Sequence, residues 1–231
     1  GTDTSGNNNT WTVNNLVAAA AGLSSANQGF DVVTYSGNST ARNIGGLAFA
    51  PDLVIIKSRS NSGYNHYWVD SVRGTNKNIY SNSIEAEQTA DRLSSFNSDG
   101  FGLTNHDGVN SSGKTYVAWS WKAGGAASSN TDGSITSSVS ANNTYGFSIV
   151  KYVGTGSLAT VGHGLNSAPE FIIIKGLDQS VSWAVYANNP TTYLQLSDTG
   201  AINSTDASNS WNGTAPTSSV FTIKSKATVN E

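Results

Sequence analysis

The feature that most constrains the fold of this 231-residue chain is an internal repeat. Residues 29–35 resemble residues 146–152 at an offset of 117 positions, and residues 50–57 resemble residues 168–175 at an offset of 118. Two further pairs follow in the same order, Trp68 with Trp183 and Phe101 with Phe221. Because composition alone rarely produces four matches in one order, the sequence predicts two copies of one structural unit.

The repeat divides the chain into four predicted segments. They are an N-terminal segment or linker at residues 1–28, a first β-sandwich repeat at 29–122, a linker with one weak strand at 123–143, and a second β-sandwich repeat at 144–231. The weak strand is predicted around residues 135–139.

The amino-acid composition indicates the fold class of the two repeats. Asn, Ser, Thr and Gly supply 108 of the 231 residues, and they favour turns and extended chain over helix. The hydrophobic share of 37% still provides a core. We therefore expect an all-β fold with one short helix, built as a tandem repeat of two β-sandwich or jelly-roll-like domains. The helix is predicted over residues 83–93, with Asn82 as its cap and Glu85 three residues later.

Three apolar segments predict strands. The runs at 53–56 and 171–174 are continuous, which is typical of strands covered on both faces. Residues 116–121 alternate, with Trp119 and Trp121 on one face, and this pattern predicts a strand lying on a core. In the second repeat the equivalent strand would fall near 236–241. We therefore expect the second domain to lack its last strand and to be completed by another segment or a neighbouring chain.

Charge and residue usage exclude several classes of protein. Twelve Lys and Arg stand against fifteen Asp and Glu, a net charge of −3 that argues against a dedicated nucleic-acid binder. The chain has no Cys, so it has no disulfide and no thiolate metal site. The apolar runs are about a fifth of the roughly 20 residues that a membrane helix needs, and no membrane insertion is expected.

Several segments together resemble a known family. They are 68–74, 94–101 and 115–125 in the first repeat, and 154–156, 161–165, 168–169 and 182–186 in the second. Through these segments the sequence resembles a poorly characterised domain family found in tail-fibre-like and other virion proteins of marine bacteriophages. Residues 3–12 also look like the last strand of a laminin-G-like lectin domain. The family usually places Cys where Ser120 stands here, a nearly neutral change if the hydroxyl finds a hydrogen-bond partner.

The resemblance implies a structural and adhesive component of a bacteriophage virion, such as a tail fibre or other surface appendage. Its expected partners are copies of itself, other virion proteins and a host-surface glycan, and its expected location is the virion surface or the extracellular space. It implies no catalytic residues, so the chain is not expected to be an enzyme. The alternatives are a secreted carbohydrate-binding module and, less favoured, a polysaccharide depolymerase.

One loop of the first repeat is the candidate ligand site. Tyr64, Asn65, His66 and Tyr67 precede Trp68, and the aligned segment before Trp183 is shorter and has no such aromatic cluster. Saccharide sites combine aromatic faces with amide and hydroxyl groups, so these four residues are predicted to bind a glycan. The alternative, favoured by packing, is that Tyr67 or Trp68 points into the core and Tyr64 covers it.

The remaining polar residues predict no catalytic or cofactor chemistry. Glu85, Glu87 and Asp91 are explained as exposed acids of the predicted helix, and Asp70 and Arg73 as a local ion pair. His66, His106 and His163 have no spacing typical of a metal site, and His163 is expected in a turn. No metal ion and no cofactor are therefore predicted.

Overall fold

The computed structural model describes residues 29–197 and 203–231. The N-terminal segment at 1–28 and its lectin-like stretch lie outside the described residues. The strands of the first half are β1 (Phe30–Ser36), β2 (Arg42–Ile44), β3 (Leu53–Ser58), β4 (Tyr67–Asp70), β5 (Lys77–Tyr80), β6 (Gln88–Thr89), β7 (Leu93–Asn97), β8 (Gly100–Leu103) and β9 (Thr115–Trp121). One helical turn, α1 (Asp107–Asn110), precedes β9.

The first half consists of two antiparallel sheets around one core. Six strands pair in the order β1-β9-β3-β4-β5-β6, and three pair in the order β2-β8-β7. The last strand in sequence, β9, therefore lies between β1 and β3 and is hydrogen-bonded to both. The core residues come from both sheets, and among them are Val54, Ile56, Phe101, Leu103 and Tyr116.

The second half continues the chain with eight strands and one helix. They are β10 (Ser128–Asn130), β11 (Ser137–Asn142), β12 (Phe147–Lys151), β13 (Ala159–Gly162), β14 (Phe171–Ile174), β15 (Ala184–Ala187), β16 (Leu194–Gln195), α2 (Ser204–Trp211) and β17 (Val220–Ile223). These strands form the sheets β10-β11-β12, β13-β17 and β14-β15-β16. Their core includes Val161, Ile174, Tyr186, Trp211 and Phe221. The expected all-β fold is confirmed.

The two halves share a strand plan and individual hydrogen bonds. The antiparallel pair β2–β8 recurs as β13–β17, and β3-β4-β5 recurs as β14-β15-β16. The N–H of Ser71 donates to the carbonyl of Asp52 at 2.8 Å, and that of Asn188 donates to the carbonyl of Glu170 at 2.7 Å. The two donors are 117 positions apart and the two acceptors are 118 positions apart, the same offsets as in the sequence repeat. This agrees with two copies of one unit.

The register of the strands corrects one pair of the repeat. Trp68 lies opposite Ile55 in β3, and the residue opposite Ile173 in β14 is Val185. Val185, and not Trp183, is therefore the structural counterpart of Trp68. Nine residues (58–66) consequently lie between Lys57 and the start of β4, and eight (176–183) lie between Lys175 and the start of β15, so the two segments differ by one residue only.

The helix predicted over residues 83–93 is wrong. Residues 83–87 are irregular, and the chain continues into β6 and β7. The predicted cap is engaged elsewhere, because the Asn82 side chain accepts the His66 N–H at 2.8 Å and donates to Asn65 at 3.0 Å. The eight-residue helix of the described residues is α2, capped by Asn203 through the N–H of Asp206 at 3.0 Å.

The linker predicted at 123–143 contains two strands and is fixed at its start. Asp52, 6% exposed, accepts the N–H of Ala123 at 2.8 Å and that of Gly125 at 3.3 Å. The hydroxyl of Ser140 accepts the Gly124 N–H at 2.9 Å. The same linker segment is thus held by β-structure from both halves. In the described part of the chain, no helix has the length and apolar character to cross a membrane.

Ser120 is fully buried, and its hydroxyl has no hydrogen-bond partner among the described residues. The condition for a neutral replacement of Cys is therefore not met. Removing an unsatisfied buried hydroxyl restores about 1 kcal/mol, so Ser120→Ala is expected to raise the free energy of unfolding by about that amount in urea titrations. Ser58→Ala is the matched control, since the buried Ser58 hydroxyl accepts the Asn61 N–H at 3.1 Å. A loss of stability in both variants would contradict the prediction.

Candidate functional site

The four residues predicted to bind a glycan lie between β3 and β4, and one of them is in the core. Tyr67 begins β4, is 5% exposed, and packs edge-on against Tyr80 with ring centroids 5.3 Å apart. Its ring is therefore unavailable to a ligand at the surface, as the packing alternative proposes. Tyr64 also packs against the core but stays half-buried.

The other two residues of this loop are bonded to the turn that follows β5. The Asn65 side chain accepts a hydrogen bond from Asn82 at 3.0 Å, and His66 Nδ1 lies 3.2 Å from the Ser81 hydroxyl. Burial, with the nearby Lys57 ammonium as a second cause, lowers the pKa of His66. The imidazole is therefore neutral near pH 7. The ligand role of Tyr64, Asn65 and His66 stays a prediction, and Asn65 Oδ1 and His66 Nδ1 already have protein partners.

Lys57, near the end of β3, holds this loop by hydrogen bonds to its backbone carbonyls. The Lys57 ammonium donates to the carbonyls of Asn61 and Tyr64, and burial lowers its pKa. In the second half Lys175 does the same for the carbonyls of Gly176 and Gln179. The two lysines are a structural element of the repeated unit, since one closes the loop that follows β3 and the other closes the loop that follows β14.

A row of aromatic rings lies where the two halves meet. Trp121 contacts Phe30 with ring centroids 4.7 Å apart and Phe147 with centroids 6.2 Å apart and planes 27° apart. Phe30 is 44% exposed, and Trp121 and Phe147 are half-buried. These three side chains, which we call the aromatic row, come from β1 and β9 of the first half and β12 of the second.

The aromatic row borders an open depression of about 310 Å³, whose remaining lining residues are Gly29, Tyr145 and Gly146. Gly29 allows a close approach, because a Cβ there would lie 2.3 Å from the Tyr145 ring. Gly146 has a φ of +63°, a left-handed conformation that places the turn before β12. The exposed Thr144 lies in this same turn and adds a hydroxyl group. The amide of the neighbouring Asn143 is bonded within the protein, to the Gly164 carbonyl at 3.3 Å and the Asn166 N–H at 2.6 Å.

Sequence patterns gave only part of this site. The alternation of residues 116–121 correctly separates the two faces of β9, with Tyr116, Ala118 and Ser120 buried. The face on the core thus carries Tyr116, Ala118 and Ser120, while the tryptophans lie on the outer face. The pairing of Phe30 with Trp121 across β1 and β9 needs the sheet order, which no local pattern contains.

The charged residues form a structural network. Arg73 Nε lies 2.5 Å from Asp70 Oδ2 and its Nη1 lies 3.1 Å from Glu87 Oε1, while Lys77 Nζ is 3.6 Å from Glu87 Oε2. The predicted ion pair of Asp70 and Arg73 is confirmed. The interpretation of Glu87 as an exposed helical acid is wrong, because Glu87 is held in this network.

The histidines act as hydrogen-bonding groups of turns. His163, 2% exposed, accepts the Leu165 N–H on Nδ1 at 3.1 Å, and its Nε2 lies 3.2 Å from the Thr217 carbonyl. Burial lowers the pKa of His163, so the neutral ring carries its proton on Nε2. His106 accepts the Gly108 N–H at 2.9 Å and caps α1. Among the residues that the structure describes, no group of three His, Cys, Asp or Glu could hold a metal ion.

Comparison with known proteins gives one family. Residues 25–231 match a family described as a domain of unknown function (DUF7483), a range that contains both halves and the aromatic row. The chain belongs to this family. Searches of curated proteins and of solved structures found no match.

Proposed function

We propose that this protein is a structural and adhesive component of a bacteriophage virion, and that the aromatic row is its contact surface for a host glycan. The observation that supports the adhesive role is the row itself, three rings in contact at an exposed junction. Aromatic rings bind the C–H face of a sugar, while amide and hydroxyl groups bind its O–H groups. The virion location rests on the sequence resemblance to tail-fibre-like proteins.

The aromatic row is better suited to a ligand than the loop at 64–67. In the loop Tyr67 is buried, and the polar groups of Asn65 and His66 are bonded to neighbouring side chains. At the aromatic row Phe30 presents 44% of its surface to solvent, and an open depression lies beside the rings. A ligand there displaces water from apolar surface without breaking protein hydrogen bonds.

Glycan arrays test the adhesive role. Phe30→Ala and Phe147→Ala are each expected to weaken glycan binding about tenfold, which corresponds to roughly 1.4 kcal/mol. The matched control is Ile84→Ala, because Ile84 is an apolar residue with 50% exposure outside the row. Binding that survives both Phe variants but is lost in Tyr64→Ala or His66→Ala would move the site to the loop. Complete absence of glycan binding by the wild-type chain would contradict the adhesive role.

Electron cryo-microscopy of intact particles tests the virion location. Density for the repeated unit on the particle surface is the expected result, and its absence from both head and tail would contradict the proposal.

The same aromatic row also favours a second candidate, a carbohydrate-binding module of a secreted bacterial protein. That candidate predicts glycan binding by the purified chain together with absence from phage particles.

A further inference from the structure

The chain at 229–231 occupies the same position in the second half as residues 109–111 occupy in the first. The Tyr35 hydroxyl donates to the Val109 carbonyl at 2.8 Å, and the Tyr152 hydroxyl donates to the Val229 carbonyl at 2.6 Å. The two tyrosines and the two valines are separated by 117 and 120 positions, which are offsets of the repeat.

The side chains of Asn110 and Asn230 also make corresponding hydrogen bonds in the two halves. Asn110 Oδ1 accepts the Asn38 N–H at 3.1 Å, and its Nδ2 donates to the Thr40 carbonyl at 2.8 Å. Asn230 Oδ1 accepts the Thr155 N–H at 2.6 Å, and its Nδ2 donates to the Ser157 carbonyl. Each of these contacts has its counterpart in the other half, so Glu231 corresponds to Ser111.

In the first half the chain passes from this point into β9 after residues 112–114. β9 then fills the position between β1 and β3. The counterparts of β1 and β3 are β12 and β14. In the described part of the second half, β12 pairs only with β11 and β14 pairs only with β15. Among residues 29–197 and 203–231, one edge of each strand therefore has backbone N–H and C=O groups without a ladder partner.

Side-chain exposure agrees with an uncovered edge at β14. Leu53 in β3 is 8% exposed, whereas Phe171, its counterpart in β14, is 60% exposed. Val54 is fully buried, while its counterpart Ile172 is only partly buried. The sequence pattern of β14 predicts a strand covered on both faces. In the structure Phe171 is exposed, and the strand edge opposite β15 has no partner among the described residues. Exposed apolar strand edges bind a further strand through the backbone ladder.

We propose that the free edges of β12 and β14 form an acceptor site for one extended segment joined to Glu231, with the chemistry of β9. The segment runs antiparallel to both strands. In the first half Ser120 lies opposite Val54 and Ala118 lies opposite Ile56, so the site selects small residues on the inner face. Aromatic residues at the alternate positions then cover Phe171 and Ile173, as Trp121 and Trp119 cover Leu53 and Ile55.

Hydrogen exchange on an extended chain tests this acceptor site. The variant carries a copy of residues 112–121 directly after Glu231, since Glu231 corresponds to Ser111. Within Phe147–Lys151 and Phe171–Ile174, the amides that point away from β11 and β15 are expected to exchange about tenfold more slowly, or slower still, because the added ladder closes both free edges. Amides of β2 and β8, in the other half, serve as the internal reference and keep their rates.

The matched control carries the same extension with Ala118→Pro in the appended copy, which removes a ladder donor. Equal protection in the control, or unchanged exchange of β12 and β14 in the first variant, would overturn the proposal. A dimer of the unextended chain in which these amides are already protected would also overturn it, because a second copy would then fill the site. This readout does not depend on glycan binding.

Discussion

Replacing Arg73 by alanine is expected to lower the free energy of unfolding by about 3–5 kcal/mol, the range for breaking a buried ion pair from one side. The side chains of Arg73 and Asp70 are 6% and 7% exposed. Arg73 also donates to the Trp68 carbonyl at 3.2 Å. Without the guanidinium, the Asp70 carboxylate stays in a buried site with only the backbone N–H groups of Val72 and residue 73 as donors. Urea titration followed by tryptophan fluorescence measures the change.

The matched control for Arg73→Ala is Lys77→Ala. Lys77 contacts the same Glu87 at 3.6 Å, but its side chain is 35% exposed. Exposed ion pairs contribute about 0–1 kcal/mol, so this variant is expected to remain close to wild type. The contrast separates the effect of burial from the effect of charge. Equal losses in the two variants would show that the network does not depend on the buried pair.

The strands and the repeat were predictable from the sequence because their signals are local. The continuous apolar run at 53–56 lies in β3, and the alternating residues 116–121 lie in β9, so both strands are where the sequence predicted them. The repeat was visible because a buried strand keeps its apolar residues in each copy, as with Phe101 and Phe221, which are both in the cores.

The failed helix prediction has a tertiary cause. The residues after Asn82 carry a capping pattern, but their groups bind distant partners. Glu87 pairs with Arg73, and the carbonyl of Ser83 accepts a hydrogen bond from Trp183 at 3.1 Å. These contacts hold the segment in an irregular path, and propensity over a few residues is too weak to compete with them. The helix α2 has the same kind of cap signal at Asn203 and Asp206, and there the Asn203 side chain accepts the Asp206 N–H and forms the cap.

The candidate site was less predictable than the fold, because contacts between the halves create it. Phe147 joins Trp121 only when the second half packs beside β9. The pairing of Trp68 with Trp183 as equivalent positions fails for a related reason. The two tryptophans are not counterparts but contact partners, with ring centroids 5.1 Å apart. Aligning the two copies by residue type matched these tryptophans because they are the same residue at nearly the right spacing, although the strand register pairs Trp68 with Val185.

Trp183 is a buried side chain of the second half that contacts the first half directly. It is 2% exposed, packs on Trp68, and donates from Nε1 to the carbonyls of Tyr80 and Ser83, both at 3.1 Å. Trp183→Ala is therefore expected to lower the free energy of unfolding by about 3–5 kcal/mol. It is also expected to split one calorimetric transition into two, because the halves then unfold separately.

Two variants separate the ring contact from the hydrogen bonds and from general loss of core packing. Trp183→Phe keeps a ring against Trp68 but removes the N–H donor, so its expected cost is smaller, about 1–3 kcal/mol. Trp211→Ala removes an equally buried indole within the core of the second half. It is expected to destabilise that half while β4 and β5 keep their hydrogen-exchange rates. A single transition in Trp183→Ala, with unchanged exchange in β4 and β5, would mean that other contacts hold the halves together.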